Sequence, residues 1–495
     1  MKMRIQKLII FTILTVLLIT PFPYNAAAAS STFVNPVAPY SSADPHVYKH
    51  TDGYYYFVHT SQNWDRIDIT RSPSLSGIGS IANSKKTVFT KSSSYCAGSN
   101  CYSGNIWAPE LYYMNGTWYL YFTAGSSEAN TPNQRMWVIT NTSANPLNGT
   151  WSAPIKLKDS ADYWAIDHTV ATINGQLYIA WSEIAPNQPQ RIMIAKMSSP
   201  TSISGRGTVI SAPTYSWETS GGSVNEAPAF ITHGSKVHLV FSASGCWTDD
   251  YNLGMLSANI TADLTVASNW TKSSSSVFKK TSTVFGPGHN SFVKSPDGTE
   301  DWIVYHANDG SGQGCSDQRT TRIQKITWNG DTPVFGSPVS PLTAVTRPSG
   351  EGTGDIFYRI RNRNSGKVLA VLNASTDNGA NILQWTYNGS GDQRWALDSV
   401  AGGYFKLRAS HSGKLAEVSG KSTADGGDIV QYQDNGGTNQ QWSFVSTNNQ
   451  YYEIKNRNSG KLMDVVNGGT ADGVDVRQWT DLNNTIQQWI IERVN

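Results

Sequence analysis

Residues 115–122 read Asn-Gly-Thr-Trp-Tyr-Leu-Tyr-Phe, a tight turn that leads directly into an aromatic strand. The same pattern, in which Asp, Asn or His precedes Gly and an aromatic strand follows, occurs five times. Its turn glycines are Gly53, Gly116, Gly175, Gly234 and Gly298, at intervals of 63, 59, 59 and 64 residues. Asn-Gly and Asp-Gly turns between strand-like runs predict β-hairpins, because the tight turn requires positive φ.

Five hairpins with a period near 60 residues indicate one structural unit that is repeated five times. No convincing amphipathic helix lies between the hairpins. The repeats therefore predict an all-β fold, a five-bladed β-propeller over residues 30–345. A β-sandwich, which would give shorter and less regular spacing, is the alternative.

A second repeat fills the C-terminal part of the chain. The tripeptide Gln-x-Trp occurs at residues 393–395, 440–442 and 487–489, and Ser-Gly-Lys occurs at residues 365–367, 412–414 and 459–461. Both motifs recur every 47 residues and stay in register. Such a period indicates one unit copied three times and stacked to bury a core that no single copy could close. It predicts a second domain at residues 355–495, joined by a linker at residues 346–354.

The N-terminus has the pattern of a secretory signal peptide. A basic start is followed by an apolar run from Leu8 to Ile19 and by small residues from Ala26 to Ala29, so residues 1–29 are expected to be removed on export. No later apolar stretch could span a bilayer, which predicts a secreted protein without a membrane partner. Lys+Arg number 38 and Asp+Glu 36, and this balance gives no case for nucleic acid as a partner.

The four cysteines fit an oxidising destination. Cys96 and Cys101 lie close enough to close a small loop, which would leave Cys246 to pair with Cys315. Four cysteines allow three connectivities, so other pairings stay open. None of the spacings is that of a zinc site, and any disulfides are expected to support the fold and to take no part in chemistry.

Acidic residues recur at one place relative to the turn glycines. Asp44, Glu110, Asp167 and Glu226 precede their glycines by nine, six, eight and eight residues, and His289 precedes its glycine by nine. Because inner strands begin at the channel of a propeller, these side chains are expected to converge there. Burying carboxylates is costly unless they are used or paired. Glycosidic bond hydrolysis uses one carboxylic acid as proton donor and one carboxylate to activate water, and a third acid can raise the pKa of the donor.

The sequences around these residues resemble glycoside hydrolase family 43. The matching segments are residues 42–47, 107–111, 166–170, 225–228, 286–292 and 319–328. The resemblance implies an inverting glycosidase in which Asp44 is the general base, Glu226 is the general acid, and Asp167 tunes and orients the acid. Asp162 lies near Asp167 and is the alternative for that third role. Glu110 is expected to shape the site or to neighbour a bound ion.

The same resemblance implies substrate contacts and a bound ion. The implied contacts are Trp107, Trp164, His168, Asn225 and Arg319. Arg322 is close enough in sequence to be the alternative to Arg319, and tryptophans in this fold are at least as typical of the core as of a sugar site. His289 resembles the family's axial histidine, which implies one Ca²⁺ or other cation in the channel. No organic cofactor is implied.

The C-terminal repeat resembles the ricin-type β-trefoil, a lectin fold that also serves as a family 13 carbohydrate-binding module. In such trefoils an acid after Ser-Gly-Lys and an aromatic residue before Gln-x-Trp form each sugar pocket. The implied pocket residues are Glu417, Tyr432 and Asn439 in the second copy and Asp464 and Trp479 in the third. The first copy has Trp385 but Ala370 in place of the acid, which puts that pocket in doubt. A purely structural trefoil is the alternative.

Residues 242–247 and 286–289 look most like the exo-acting α-L-arabinofuranosidases of the family. The expected partner is plant cell-wall polysaccharide, namely arabinan, arabinoxylan or arabinogalactan, and a monomer is expected. β-Xylosidase, endo-arabinanase and exo-galactanase activities are alternatives within the family, although exo-galactanases typically lack the base that Asp44 supplies. A non-catalytic lectin is the alternative outside enzymes.

Overall fold

A computed structural model of the chain describes residues 31–39, 41–92, 96–97, 100–126, 131, 133–447 and 450–495. The described part consists of β-strands and short 3₁₀ helices. The predicted all-β class, with a five-bladed propeller followed by a β-trefoil, is confirmed. The predicted signal peptide lies outside the described residues. In the described ranges, no helix combines the length and the apolar character that crossing a membrane requires.

Each blade is an antiparallel sheet whose inner strand lies at the axis. The strands are Ala43–Lys49, Tyr55–Thr60, Arg66–Ser72 and Ser84–Thr90 in blade 1; Gly104–Met114, Thr117–Gly125, Arg135–Asn141 and Ile155–Leu157 in blade 2; Trp164–Ile173, Gln176–Ile184, Arg191–Ser199, Ser202–Ile203 and Thr208–Ser211 in blade 3; Asn225–His233, Lys236–Ala243, Asn252–Asn259 and Thr271–Lys272 in blade 4; and Phe285–Lys294, Asp301–Asn308, Thr320–Asn329 and Thr332–Val334 in blade 5. The five turn glycines join the first two strands of each blade, and all have positive φ.

Every inner strand carries a β-bulge at the same place. The residues at this place are Asp44, Ala108, Asp167, Ala227 and His289, with φ between 45° and 56°. Residues other than glycine rarely adopt such a conformation, and it persists only where the surroundings impose it. The bulge therefore marks the place in each blade where packing forces the backbone into a strained conformation, as is typical of functional sites.

Neighbouring blades hold four of these bulges through one kind of hydrogen bond. In each case the N–H of the bulge residue donates to a polar side chain on the second strand of the preceding blade. The pairs are Ala108 with Thr60 Oγ1 at 2.8 Å, Asp167 with Thr123 Oγ1 at 3.1 Å, His289 with Ser242 Oγ at 2.8 Å, and Asp44 with His306 Nδ1 at 3.0 Å. Because blade 5 holds blade 1 in the same way, this ring of bonds runs across the closure of the propeller.

The bulges correct the expectation that the acids and His289 share one equivalent position. Asp44, Asp167 and His289 do share it, but Glu226 precedes its bulge residue by one place and Glu110 follows its bulge residue by two. Successive residues of a strand point to opposite faces, and a bulge shifts this alternation. Glu110 accordingly lines a separate cavity of about 670 Å³.

The segments that enter and leave the propeller lie together. Strand Thr32–Val34 pairs with strand Ala344–Thr346, and the side chain of Asn35 bonds to both the N–H and the carbonyl of Ile323 in blade 5. Glu351, in the predicted linker, accepts hydrogen bonds from the N–H and Oγ of Ser76 at 2.7 and 2.6 Å. Two smaller strands, Cys96–Ala97 and Asn100–Cys101, form a hairpin before blade 2.

The trefoil is one antiparallel sheet of twelve strands. They are Phe357–Asn362, Val368–Val371, Ala380–Trp385, Trp395–Val400, Tyr404–Ala409, Leu415–Val418, Ile429–Tyr432, Trp442–Ser446, Tyr452–Asn456, Leu462–Val465, Val476–Trp479 and Gln488–Arg493. The 3₁₀ helices are Leu372–Ala374, Gly391–Gln393, Ser419–Lys421, Thr438–Gln440, Val466–Gly468 and Thr485–Gln487 here, and Ser216–Glu218 and Ala267–Asn269 in the propeller. The three Gln-x-Trp tryptophans are fully buried, as core residues should be.

Candidate active site

A cavity of about 370 Å³ opens at one end of the propeller axis. It brings together seven of the predicted catalytic, substrate-contact and ion-binding residues: Asp44, Asp167, Glu226, Trp107, Trp164, His289 and Arg319. It also contains residues that the sequence analysis missed, and the most important are Thr60, Gln190, Trp64 and Trp247. The cavity therefore collects three carboxyl groups, one guanidinium and four tryptophans.

Asp44 is held by contacts to both of its carboxylate oxygens. Oδ2 accepts a 2.6 Å hydrogen bond from Thr60, while Oδ1 lies 3.2 Å from a guanidinium nitrogen of Arg319 and 3.2 Å from Nδ1 of His289. Burial by itself would raise the pKa of Asp44, but the nearby His289, Arg319 and His306 outweigh burial and hold the pKa well below its usual range. Asp44 is therefore an ionised carboxylate at neutral pH.

His306 holds the backbone of Asp44. Its Nδ1 lies 3.0 Å from the N–H of Asp44 and 3.3 Å from Oδ1 of the same residue. Burial lowers the pKa of His306 to about 4, so the ring is neutral near pH 7. A nitrogen that accepts the backbone N–H cannot also donate to the carboxylate. His306 is thus a backbone acceptor, and the low pKa of Asp44 comes chiefly from His289 and from the permanently charged Arg319.

Glu226 is restrained at both oxygens. Oε1 accepts a 2.8 Å hydrogen bond from the Tyr251 hydroxyl, and Oε2 accepts one of 2.8 Å from the side-chain amide of Gln190. Burial raises the pKa of Glu226, these two hydrogen bonds oppose that rise, and the charge of Asp44 adds to it. The balance leaves the pKa above its usual value.

Asp167 shares the site with Glu226. Burial, and then the nearby carboxylates of Glu226 and Asp44, raise the pKa of Asp167 well above its usual range. Two buried carboxyl groups that repel each other cannot both be ionised at neutral pH, so the pair retains a proton. Asp162, the alternative, lies elsewhere in ion pairs with Arg135 and Lys156.

Two of the expected substrate contacts lie outside the cavity, and for them the prediction is wrong. His168 is buried between strands, where its Nε2 lies 3.2 Å from the Trp137 carbonyl. Asn225 is also buried, and its side chain bonds to Glu218 and Ser211. Both face away because each is one strand position from a residue that does line the cavity, and alternate residues point to opposite faces.

The choice between two arginines is resolved by their surroundings. Arg319 reaches the cavity, where it also donates to the carbonyl of Ser316 at 3.2 Å. Arg322 is fully buried and pairs with Asp309 at the boundary with the trefoil. Arg319 is therefore the side chain that can meet a substrate.

The predicted pairing of Cys246 with Cys315 is confirmed, and this disulfide forms part of the cavity wall. Cys101 is also disulfide-bonded. The side chain of its expected partner, Cys96, lies outside the described residues. Next to the wall disulfide, Trp247 is 58% exposed, which gives the cavity mouth an accessible aromatic face.

His289 supplies one candidate ligand for a cation. Burial lowers the pKa of His289, so its imidazole is neutral at physiological pH, as a metal ligand must be. Across the described ranges, no group of three or more His, Cys, Asp or Glu side chains is arranged to hold a metal.

The predicted sugar pockets of the trefoil differ in their acids. In the second copy, Glu417 Oε2 accepts hydrogen bonds from Asn435 and Gln440, each at 2.9 Å. In the third copy, Asp464 Oδ1 lies 3.3 Å from Nε of Arg477, whose guanidinium stacks over the Trp479 ring at 4.0 Å. The second copy has Val430 at the position that corresponds to Arg477. Asp464 is therefore paired with an arginine at this position, whereas Glu417 is not.

The remaining predicted pocket residues of the second copy differ in exposure. Tyr432 is partly exposed at the end of its strand. Asn439 is buried, and its side-chain amide donates to the Val418 carbonyl at 3.1 Å. Tyr432 can therefore offer its ring to a ligand, whereas Asn439 supports the fold of the pocket.

Comparisons with known proteins agree with this architecture. The family model described as Glycosyl hydrolases family 43 matches residues 33–333, and the one described as Ricin-type beta-trefoil lectin domain-like matches residues 346–432 and 438–495. An "Extracellular exo-alpha-(1->5)-L-arabinofuranosidase" of Streptomyces avermitilis is 44% identical over 351 residues, which are 69% of this chain and 71% of that protein. "Alpha-L-arabinofuranosidase 43" of Humicola insolens is 33% identical over 395 residues, which are 77% of this chain and 76% of that protein.

A solved structure extends the likeness to three dimensions. The alpha-L-arabinofuranosidase from Lactobacillus brevis is 33% identical, with a TM-score of 0.58, and the match covers 62% of this chain and 98% of that one. The family match covers more than half of the chain and includes every residue that lines the cavity. The chain therefore belongs to glycosyl hydrolases family 43 and is a glycosidase with a ricin-type β-trefoil after its propeller.

Proposed function

We propose that the chain is a secreted, exo-acting α-L-arabinofuranosidase that releases L-arabinofuranose from arabinan or from other arabinose-bearing polysaccharide of the plant cell wall. The names of the relatives support this substrate, and the Streptomyces protein is named extracellular. We propose that residues 1–29 direct export and that the enzyme acts as a monomer.

One observation carries the chemistry: a single cavity holds an ionised carboxylate, Asp44, and a carboxyl pair, Glu226 with Asp167, whose pKa values are raised. Groups whose pKa values are pushed apart can serve as base and acid at one pH. Glu226 gives its proton to the glycosidic oxygen as the bond to the anomeric carbon breaks. Asp44 takes a proton from a water molecule, whose oxygen attacks that carbon from the opposite face. The product therefore has inverted configuration.

Other residues support these two. Asp167 tunes and orients Glu226 as the partner with which it shares the retained proton, and His289 and Arg319 keep Asp44 ionised. Trp107 and Trp164, with Trp64 and Trp247, offer ring faces to the sugar. We propose that His289 holds one cation, such as Ca²⁺, together with water; such an ion would add positive charge beside the base and takes part in no proton transfer. Exhaustive chelation should then lower the melting temperature or the activity, and no change in either would contradict the cation.

A substrate panel tests the function. The purified enzyme is given an aryl α-L-arabinofuranoside, an aryl β-D-xyloside, linear arabinan and galactan. Release of arabinose from the first and third, with inversion seen by proton NMR of the first-formed anomer, is the expected result. Glu226→Gln and Asp44→Asn should each lower kcat by roughly 10²–10⁴-fold without loss of fold. Preferred cleavage of the xyloside or of galactan would assign one of the alternatives, and retained configuration would overturn the mechanism.

A further inference from the structure

Tyr251 is a fully buried side chain that contacts both Glu226 and His306, the histidine that holds the backbone of Asp44. Its hydroxyl donates to Oε1 of Glu226 at 2.8 Å. The other oxygen of Glu226 is fixed by Gln190, whose amide also donates to Ser182 at 3.0 Å. Because each oxygen of Glu226 accepts a hydrogen bond from a different donor, the carboxyl group is held in one orientation. Tyr251 fixes one of the two oxygens and Gln190 fixes the other.

The ring of Tyr251 also contacts the residue that holds the general base. It is stacked on the imidazole of His306, with an interplanar angle of 5° and 5.8 Å between ring centroids. This separation lies within the range of offset stacking. His306 is the residue that accepts the N–H of Asp44, so the ring of Tyr251 supports the group that fixes the backbone of the base.

The chain makes room for Tyr251 with a glycine. A Cβ atom at Gly288 would lie 2.2 Å from Cε1 and 2.5 Å from Cδ1 of the Tyr251 ring, which no side chain could tolerate. The equivalent position in the other four blades, one before the bulge residue, carries a side chain: Ala43, Trp107, Ile166 and Glu226. Gly288 is therefore the exception that opens a slot for Tyr251 beside the site.

We propose that Tyr251 is a positioning residue for the glycosidase reaction, whose hydroxyl aims the proton-donating carboxyl group of Glu226 and whose ring steadies His306 behind Asp44. This inference rests on the proposed roles of Glu226 and Asp44. The other charged groups that face Glu226 are Asp167, Asp44 and Arg319. Tyr251 transfers no proton to substrate; it acts through Glu226 and through His306.

The test compares Tyr251→Phe with Glu226→Gln on aryl glycosides of the sugar that the enzyme cleaves, with leaving groups from 2,4-dinitrophenol to phenol. A good leaving group needs little protonation, so a defect in the acid grows as the leaving group becomes poorer. Tyr251→Phe keeps the ring and loses only the hydroxyl. It should lower kcat on the order of 10-fold for the phenyl glycoside and far less for the dinitrophenyl glycoside, with KM nearly unchanged.

The pH profile supplies a second readout. The Tyr251 hydroxyl stabilises the ionised form of Glu226, so its loss should raise the pKa of the acid. Activity falls as the acid loses its proton, and the alkaline limb of kcat/KM should therefore move to higher pH, by about 1 unit. Tyr121→Phe is the matched control, because it removes a buried hydroxyl that donates a 2.8 Å bond to the Pro200 carbonyl, outside the cavity. The Tyr121→Phe control should change neither the dependence of kcat on the leaving group nor the alkaline limb of kcat/KM.

The outcomes separate the inference from the proposed function. If Glu226→Gln shows no dependence on the leaving group, its role as acid is wrong and the inference falls with it. If Glu226→Gln shows the dependence and Tyr251→Phe behaves like Tyr121→Phe, only the role of Tyr251 is overturned. Gly288→Ala should reproduce a loss of kcat by displacing the ring, and adding it to Tyr251→Ala should cause no further loss. If Gly288→Ala lowers kcat further in the Tyr251→Ala background, Gly288 does not act by making room for the Tyr251 ring.

Discussion

A guanidinium nitrogen of Arg319 lies 3.2 Å from Oδ1 of Asp44, and both side chains are almost fully buried. Paired charges in such a place interact strongly, because little water screens them. The pair keeps Asp44 ionised although burial alone would protonate it. Arg319 therefore helps to keep Asp44 ionised, in addition to its position for contact with substrate.

Removing this charge should change the pH dependence of the reaction. The pKa of Asp44 is lowered in the folded enzyme, and the base works only when ionised, so Arg319→Gln should raise the pKa of Asp44. The acidic limb of kcat/KM should then move to higher pH, by roughly 1–3 units. Arg319→Lys keeps the charge and should move the limb less. An acidic limb that is identical in all three enzymes would contradict this role.

Glu110 predicts a pH dependence of stability that is separate from catalysis. Burial raises the pKa of Glu110 from 4.5 to about 8, although hydrogen bonds from Tyr112 and Thr169 oppose the rise. The unfolded chain releases this proton at lower pH than the folded protein does. The free energy of unfolding should therefore fall as pH rises from about 4.5 to 8, by at most ~1.4 kcal/mol per pH unit.

Glu110→Gln should remove this part of the pH dependence. The amide can still accept the 2.6 Å hydrogen bond from Tyr112, and it carries no charge at any pH. Melting temperatures of the two proteins should be similar at pH 5, where Glu110 is protonated, and the variant should be the more stable at pH 8. A constant difference across this range would show that Glu110 does not titrate as described.

The two domains are joined by a buried hydrogen bond. Tyr452 of the trefoil donates to Oδ2 of Asp309 in the propeller at 2.7 Å, and the other oxygen of Asp309 pairs with Arg322. The buried apolar cluster around this bond includes Trp302 of blade 5 and Ile360 of the trefoil. The interface therefore resembles a domain interior, and the trefoil and propeller should unfold together.

Tyr452→Phe should destabilise the whole protein, because it leaves an oxygen of buried Asp309 without a donor. Hydrogen bonds to charged groups contribute about 1.5–3 kcal/mol, so denaturant or thermal unfolding should show a loss of that order in one transition. Tyr451→Phe, at the neighbouring and partly exposed residue, is the control. Two separate transitions in the parent protein would contradict the shared interior.

The sequence predicted the architecture because both repeats have visible periods. Turn glycines and Gln-x-Trp motifs are local signals, and the spacing from the turn glycines predicted that Asp44, Asp167 and Glu226 lie together, as they do in the cavity. The bulges were not predictable from glycine spacing, since one extra residue per strand leaves the period almost unchanged. The resemblance implied His168 and Asn225 as substrate contacts, but the structure buries both outside the cavity. A signal for the missed supports does exist: Thr60, Thr123, Ser182, Ser242 and His306 follow their turn glycines by seven or eight residues.

Tyr251, Gln190, Trp64 and Trp247 had no such signal. Tyr251 lies just before the third strand of blade 4, and Gln190 just before the third strand of blade 3. Gln190 meets Glu226 because blade 3 packs beside blade 4, and Tyr251 meets Glu226 across its own blade. Their roles depend on tertiary contacts, which a repeat in one chain cannot show.

The trefoil is expected to bind polysaccharide through the pockets of its second and third copies. Deleting residues 355–495 is a poor test, because it would expose the apolar interface and leave Asp309 without Tyr452. Glu417→Gln with Asp464→Asn removes both pocket charges and keeps side chains that can still bond to Asn435, Gln440 and Arg477.

This double variant should cleave small aryl glycosides at the parent rate, since both substitutions lie in the trefoil. Its binding to insoluble arabinan or arabinoxylan in a pull-down should be weaker than that of either single variant. When two linked sites bind one polymer, binding at the first raises the effective concentration at the second, so losing both removes this gain. Asp377→Asn, at an exposed acid of the first copy, is the control. The second-copy acid faces no cation from position 430, so Glu417→Gln should cost more binding than Asp464→Asn, whose charge Arg477 already balances. Undiminished polymer binding by the double variant would assign the trefoil a structural role.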